Sequence, residues 1–458
     1  MKIRINHRPP GSVLVVTLLT AAIIGLALGS YLWMVSNQNI STARGLAWNS
    51  AIAVAEAGAE EALTQLHYND INHLSANSWT DLTNGWYYKT HSVNGNRYYE
   101  TTIKKVEPPI IIATGYVPAP LAPSSNFGML LAQVPTAGGS AYVKRRIMVN
   151  TRRKALLPTA MFAKGQILLA GNNVTTDGFD SDDPLASTNG KYDKAKHKDS
   201  GDVWTNSGDP SAISVGDANV FGHVGTGTGG TATVTSGGTV GDLAWAGADT
   251  PGIKPGWSSD EVHMEVEDVK VPFTSGYSTP VGGVVGTNAY TYVLNGLLND
   301  KYKLSSLSGK VYVSGGQVSL YVTDSLNIGS GDYIYIAPGA SLKLYVAAPS
   351  ATIGGSGIIN TDAKASAFEY WGLPSNTSFA FKGNASFTGI VYAPEADFTL
   401  GGGGSNDYDF VGACVVNTIK MNGHFHFHYD EALRKKYWSG YQAAAWNEVD
   451  PNAPLSQF

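Results

Sequence analysis

The sequence predicts a mainly β protein carrying one long N-terminal α-helix. Three observations lead there. An uncharged run, Ser12 to Val35, passes without a proline into an alanine-rich amphipathic stretch; short apolar segments then recur between glycine-rich turns; and no helical period returns among them.

The run SVLVVTLLTAAIIGLALGSYLWMV follows Lys2, Arg4 and Arg8, and the next charge behind it is Arg44. About twenty apolar residues in helical conformation match a hydrocarbon core roughly 30 Å thick. Basic residues ahead of the span put the N-terminus on the cytoplasmic side and the remainder of the chain outside. From Gln38 to Leu66, Ile40, Ala43, Ala47, Ala51, Val54, Ala55, Ala59, Ala62 and Leu63 recur at three- and four-residue spacing, the pattern of one buried helical face. Together the segments predict a helix over 12–66, about 80 Å long at 1.5 Å per residue. Small Ala and Gly on its surface let another backbone approach closely. An uncleaved single-pass anchor has the same hydropathy. A signal peptide read at Ala27 and Gly29 does too, but it leaves the amphipathic continuation unexplained.

A basic leader ending in Gly11, a hydrophobic helix directly after it, and AEAGAEEAL (Ala55 to Leu63) resemble the type IV pilin-like proteins, and among them the PilX-like minor-pilin branch. The resemblance covers about the first 155 residues. It implies that residues 1–11 are a leader, removed by a prepilin peptidase between Gly11 and Ser12. The freed helix then packs among other pilin-like subunits in a filament core. Val16 stands where a major pilin has Glu, and Pro9-Pro10 departs from the usual leader, so a minor or tip subunit is expected. The implied location is the bacterial envelope: inner membrane as precursor, with Ser12 to Val35 as the single span, then pilus or cell surface.

Residues 67–158 begin with a polar, turn-rich connector (68–97) and continue with Tyr98–Val106, Ile110–Tyr116 and Ala141–Thr151. Their β-branched and aromatic content with partial alternation predicts antiparallel strands solvated on one face. The cluster Lys144, Arg145, Arg146, Arg152, Arg153 and Lys154 is read as a solvated strand face, the alternative being a patch for an anionic partner or lipid. Across 159–433, strands such as VYV, VSLYV, YIYI and LKLYV alternate with SGG, GSGD, APGA and GGSG. Short strands at close repeated spacing predict a β-solenoid, with an irregular insertion near 243–303 and a C-terminal tail over 434–458. FTGIVYAP (Phe387 to Pro394), GACV and GHFHFHYD also resemble the solenoid domain of PilX-like surface proteins. A β-sandwich or jelly roll is the alternative, and Asn422-Gly423 between two apolar strands is the hairpin signal that would favour it.

Composition narrows the functional classes. The formal charge of -5 offers no basic footprint for nucleic acid. The one cysteine, Cys414, excludes an internal disulfide and lies in the apolar run FVGACVVN, where a buried thiol is expected. No phosphate loop, GxSxG elbow, HExxH or CxxC occurs, so no enzyme activity and no cofactor are expected. His424, His426 and His428 alternate with Gly423, Phe425 and Phe427, which in a strand puts the imidazoles on one face about 7 Å apart. With Asp430 they could seat a transition metal; the plainer reading is Phe inward and His outward. Asp177, Asp180, Asp182 and Asp183 suit either calcium or turns, and turns are the preferred reading because the spacing is not that of an EF-hand. The expected function is structural: a minor or tip pilin-like subunit displaying a large β-rich domain. A membrane-anchored envelope adhesin or carbohydrate-binding protein is the alternative, and a polysaccharide-active β-helix enzyme comes third.

Overall fold

The computed structural model describes residues 11–68, 71–119, 142–171, 174–235, 237–248, 250–382, 385–401, 406, 408–422 and 425–458. The chain forms two compact units, one built from the residues up to Lys154 with Ser439–Phe458, the other from Ala155–Trp438. The first ten residues of the expected leader lie outside the described part.

In the first unit a single helix, α1 (Gly11–Tyr68), runs for 58 residues, matching the span expected at 12–66. Its two halves differ. Leu14, Leu26 and Trp33 are 70%, 76% and 72% exposed, whereas Ala51, Ala55, Ala59 and Ala62 are fully buried. The buried residues recur every three or four positions, so one stripe of the helix meets one partner. That partner is an antiparallel sheet: β1 (Thr80–Asp81), β2 (Trp86–Asn94), β3 (Arg97–Lys104), β4 (Ile110–Pro118) and β5 (Tyr142–Ala155), followed in sheet order by the strand Trp438–Val449. Alanine lines the stripe because the backbones nearly touch: a Cβ on Gly115 of β4 would overlap the Ala51 carbonyl and lie 2.5 Å from Ala55 N. At the sheet's margin Tyr99 donates to Glu61 at 2.7 Å, and Lys89 pairs with the same carboxylate at 2.8 Å.

Two expectations need correction here. The connector 68–97 contains β2, whose register with β3 runs from Trp86↔Lys104 to Asn94↔Arg97. The C-terminal tail is instead the sixth strand of this sheet, beside β5. Its Ala-rich sequence hides the pairing, because the partner strand lies far earlier in the chain. The basic cluster on β5 is tied within the unit. Arg145 forms a two-pronged ion pair with Glu448 at 2.6 Å and lies 5.0 Å over Trp48, and Arg153 bonds Glu107 at 2.8 Å.

The second unit is built on parallel ladders. In its earlier half, Met161–Ala163, Val203–Thr205, Val224–Gly225 and Ser258–Ser259 stack in one ladder. Ile167–Leu169, Ile213–Gly216 and Ala232–Val234 form a second, and Thr175–Phe179, Asn219–Phe221, Thr239–Gly241 and Gly252–Ile253 a third. The later half repeats the scheme through Gln317–Ile328, Ser341–Val346, Phe368–Gly372 and Phe387–Leu400. Val281–Val285 pairs antiparallel with Asn288–Asn295, while the ladders around it run parallel. A sandwich or jelly roll would need the opposite sense of pairing throughout.

Rung order is not chain order. Tyr408–Met421 pairs with Met161–Ala163 and Ile167–Leu169, and Phe425–Asp430 pairs with Thr175–Phe179. The chain therefore enters the stack in its middle, builds one half outward, and returns to complete the other. The return uses the expected insertion, which holds strands at both ends and an extended strap over 260–277. Val262 N donates to Thr226 O at 2.9 Å, Met264 exchanges two hydrogen bonds with Asn206, and Glu267 O accepts from Tyr392 at 2.8 Å. Alternate strap residues Val262, Met264 and Val266 pack on the core, and Phe273 meets Tyr321 edge-on. The strap thus reaches two of the outward side chains that share one register, Tyr321, Tyr345, Trp371 and Tyr392, at Tyr321 and at Tyr392.

Inward positions stack like with like, as parallel in-register rungs require. Phe387, Phe410 and Phe427 superpose at 4.4 and 4.3 Å and Phe379 with Phe398 at 5.1 Å, while Tyr370 stacks on Phe379 at 4.1 Å from a neighbouring ladder. Each such pair contributes about 0.5–1.5 kcal/mol beyond its burial. Cys414 sits fully buried in this core, and burial pushes its thiol well above the ordinary range. A thiol reagent is accordingly expected to leave the native protein unlabelled and to label one site per chain in denaturant, read by intact mass.

Candidate functional site

A dense polar cluster arises where the two halves of the stack meet. Parallel pairing sets Asp177 opposite His428, Thr175 opposite His426, and Asp409 opposite His426. Rungs about 4.8 Å apart then bring side chains from three strands into contact. His428 Nδ1 lies 2.5 Å from Asp177 Oδ1, and Nε2 lies 3.3 Å from Asp409 Oδ1. Both contacts are hydrogen bonds at once only in the imidazolium form, where each nitrogen donates.

The chain between Thr175–Phe179 and Val203–Thr205 folds over this pair. Tyr192 stacks on the His428 ring with centroids 3.6 Å apart and donates its hydroxyl to Asp177 Oδ2 at 2.7 Å. His197 Nδ1 approaches the same oxygen at 3.3 Å, and Lys198 exchanges backbone hydrogen bonds with Gly178. His428 and Asp177 are each 4% exposed. Burial opposes charge on His428, but the bonds and charges of Asp177 and Asp409 outweigh it and raise the imidazole above its usual value. Burial likewise raises the Asp177 carboxyl, and the neighbouring His197, His428 and Tyr192 outweigh it in the other direction, leaving it below the carboxylate range. Asp409 is held low chiefly by its bond to His428.

Phe425 and Phe427 point into the core, fully buried, and the histidines alternate with them. The expectation of solvent-facing histidines needs correction for His428: it points away from the core yet is covered by the overlying segment. His426 is partly exposed and bonds Thr175 Oγ1 at 2.7 Å, while His424 lies outside the described residues. Both nitrogens of His428 face carboxylates, and Asp430 Oδ1 accepts from Ser181 N and Ala432 N at 3.0 and 3.1 Å. Among the described residues no group of three or more His, Cys, Asp or Glu is placed to hold a metal ion.

The other loop aspartates make turns and ion pairs. Asp180 Oδ1 accepts from Asp182 N and Asp183 Oδ1 from Leu185 N, each at 2.9 Å, while Lys436 pairs with Asp182 at 2.8 Å. Sequence reasoning grouped Asp177 with them and overlooked Tyr192, His197 and Asp409. No local signal marks these residues, since Asp177 and His428 are 251 positions apart. With its acid and imidazole both enclosed, the cluster is suited to pinning residues 180–202 onto the stack, not to meeting a substrate.

The fold thus defines a mainly β protein whose helix over Val13–His67 is long and apolar enough to cross a membrane, with none of its most apolar window buried. A family model described as Domain of unknown function (DUF7305) matches residues 291–436, less than half of the chain. The matched part holds Asp409, His426 and His428 but not Asp177, Tyr192 or His197. No curated protein and no solved structure matches the chain significantly.

Proposed function

We propose that this protein is a pilin-like structural subunit, minor or tip, of a type IV pilus or related secretion filament, processed between Gly11 and Ser12. The observation that carries the reading is the division of α1. One continuous helix, Gly11–Tyr68, leaves its front half uncovered by any described residue and lays its back half along an antiparallel sheet. Each large apolar side chain left in water forfeits about 1.5–3 kcal/mol of burial, so the front half requires an apolar surrounding. Lipid supplies it in a precursor, and helices of other subunits supply it in a filament. The role is structural, without catalysis. The parallel ladders of the second unit support reading 159–433 as a β-solenoid displayed outside the cell.

N-terminal sequencing of protein from the membrane and from sheared filaments tests this. The expected mature chain starts at Ser12; one that begins at Met1 or Ser30 contradicts it. Recovery only in the inner membrane after shearing would support the anchored adhesin or carbohydrate-binding protein instead.

A further inference from the structure

The face of the six-stranded sheet turned away from α1 is richer in recognition chemistry than a plain solvated surface. Three cross-strand rows lie side by side on it. Glu100, Thr114 and Arg146 form the middle row, one from each of β3, β4 and β5. Tyr88, Thr102 and Ile112 form the row on one side, and Tyr98 with Tyr116 the row on the other. Between the first two rows and Leu455 opens a cavity of about 290 Å³, lined also by Leu82. That volume sits at the lower bound of roughly 300 Å³ for small-molecule sites, which suits one sugar ring.

The lining pairs an acid with a base. Glu100 Oε2 accepts from Tyr116 at 2.7 Å. Arg146 Nε donates to Thr114 Oγ1 at 2.8 Å and Nη1 to Ala453 O at 2.6 Å. These contacts fix both head groups. They use two bonds of a guanidinium that carries five N–H groups; Tyr88 also hydrogen-bonds the Glu100 carboxylate, which has about four acceptor positions in all. Charges of opposite sign in one small cavity disfavour an anion beside Glu100 and a cation beside Arg146. A hydroxyl suits both, since it donates to the carboxylate and accepts from the guanidinium. Two neighbouring hydroxyls on a ring repeat that pattern, and the apolar C–H face of the ring has Tyr88, Leu82 and Ile112 to lie against. Beyond the cavity, Tyr98 and Tyr116 stack at 4.5 Å with Tyr142 edge-on at 5.4 Å, all three half-buried. They extend an aromatic platform toward a second ring.

We infer that this face is a saccharide-binding site whose cavity takes one neutral hexose unit through the Glu100–Arg146 pair. The inference is independent of filament assembly, because it uses no part of α1. Saturation-transfer NMR on the full chain in detergent micelles tests it, with the methyl α-glycosides of glucose, galactose and mannose as probes. Glucuronate serves as the charged comparison. At least one neutral glycoside is expected to bind with a Kd on the order of 1 mM, as suits so small a ligand. Glu100→Gln and Arg146→Lys should each weaken it by about tenfold or more, the range for losing a charged hydrogen bond. Asp324→Asn, on an exposed position of the other unit, should leave it unchanged. Near-UV circular dichroism confirms that each variant is folded, and Glu100→Gln, which keeps an acceptor for Tyr116, guards against loss of fold at Arg146. No transfer from any of the three glycosides at about 50 mM, far above that Kd, overturns the inference. So does transfer that survives both substitutions, or binding stronger for glucuronate than for every neutral probe.

Discussion

Gly115→Val is expected to detach the helix from the sheet and cost the first unit about 3 kcal/mol or more. The reason is the kind of atom in the way. A Cβ at Gly115 meets the carbonyl of Ala51 and, at 2.5 Å, the amide nitrogen of Ala55. Both are helix backbone, which cannot rotate aside, and Ala51 and Ala55 are themselves fully buried. Relief requires moving α1 bodily, which opens the stripe from Ala47 to Leu66. Gly58 makes the contrast. A Cβ there meets the side chains of Thr101 and Tyr99, the latter at 2.9 Å. Both are buried side chains, whose displacement costs less than moving helix backbone, and Ala gains about 1 kcal/mol of helix propensity over Gly. Thermal unfolding followed at 222 nm, with proteolysis of the 47–66 segment as a local readout, separates the two. If Gly115→Val melts as the parent does while Gly58→Ala is severely destabilised, the backbone-contact argument fails.

The second large effect is at Asp177. Replacement by Asn leaves a buried imidazole that has lost its nearest counter-charge, and removing one partner of a buried pair costs about 3–5 kcal/mol. The change should surface first as release of residues 180–202, which carry Lys191, Lys194, Lys196 and Lys198 and so invite trypsin. The pH dependence follows from the directions of the shifts. His428 is raised in the folded protein, so its contribution is complete below the ordinary histidine value of about 6.5 and fades as pH rises through the folded value. Asp177 is lowered, so its contribution is present above about 3.9 and fades as pH falls through its folded value. The segment is held best between these limits. In the parent, cleavage normalised to a short lysine peptide should rise on the alkaline side of neutrality, and in Asp177→Asn it should be fast and flatter with pH. Cleavage of the parent that ignores pH from about 6 to 9 would count against the latch.

The helix and the β character of the rest were legible because both are periodic within a short window. Alanines at three- and four-residue spacing announced the packed stripe, and VSLYV or LKLYV announced strands. The strap was read only as an irregular insertion, because the alternation of Val262, Met264 and Val266 sits in a glycine- and proline-rich neighbourhood. What the sequence could not show was which strand lies beside which. Trp438–Val449 looks like a tail until β5 is set next to it. FHFHYD looks like a row of exposed histidines until Tyr192, from a polar stretch far upstream, is laid over His428. Pairing across such distances depends on loop closure and packing, and neither leaves a mark in local composition.

The order in which the rungs are filled gives the second unit a built-in test of completeness. While residues 161–259 exist without 408–430, the strands Met161–Ala163, Ile167–Leu169 and Thr175–Phe179 keep one whole side of their peptide groups unpaired. Such an open apolar edge is a template for joining other chains. Only the arrival of Tyr408–Met421 and Phe425–Asp430 removes it. A chain that stalls during synthesis before that point remains adhesive to its neighbours, while a finished one is not. The fold thereby makes its own interruption conspicuous to the proteases and chaperones that patrol unfinished proteins.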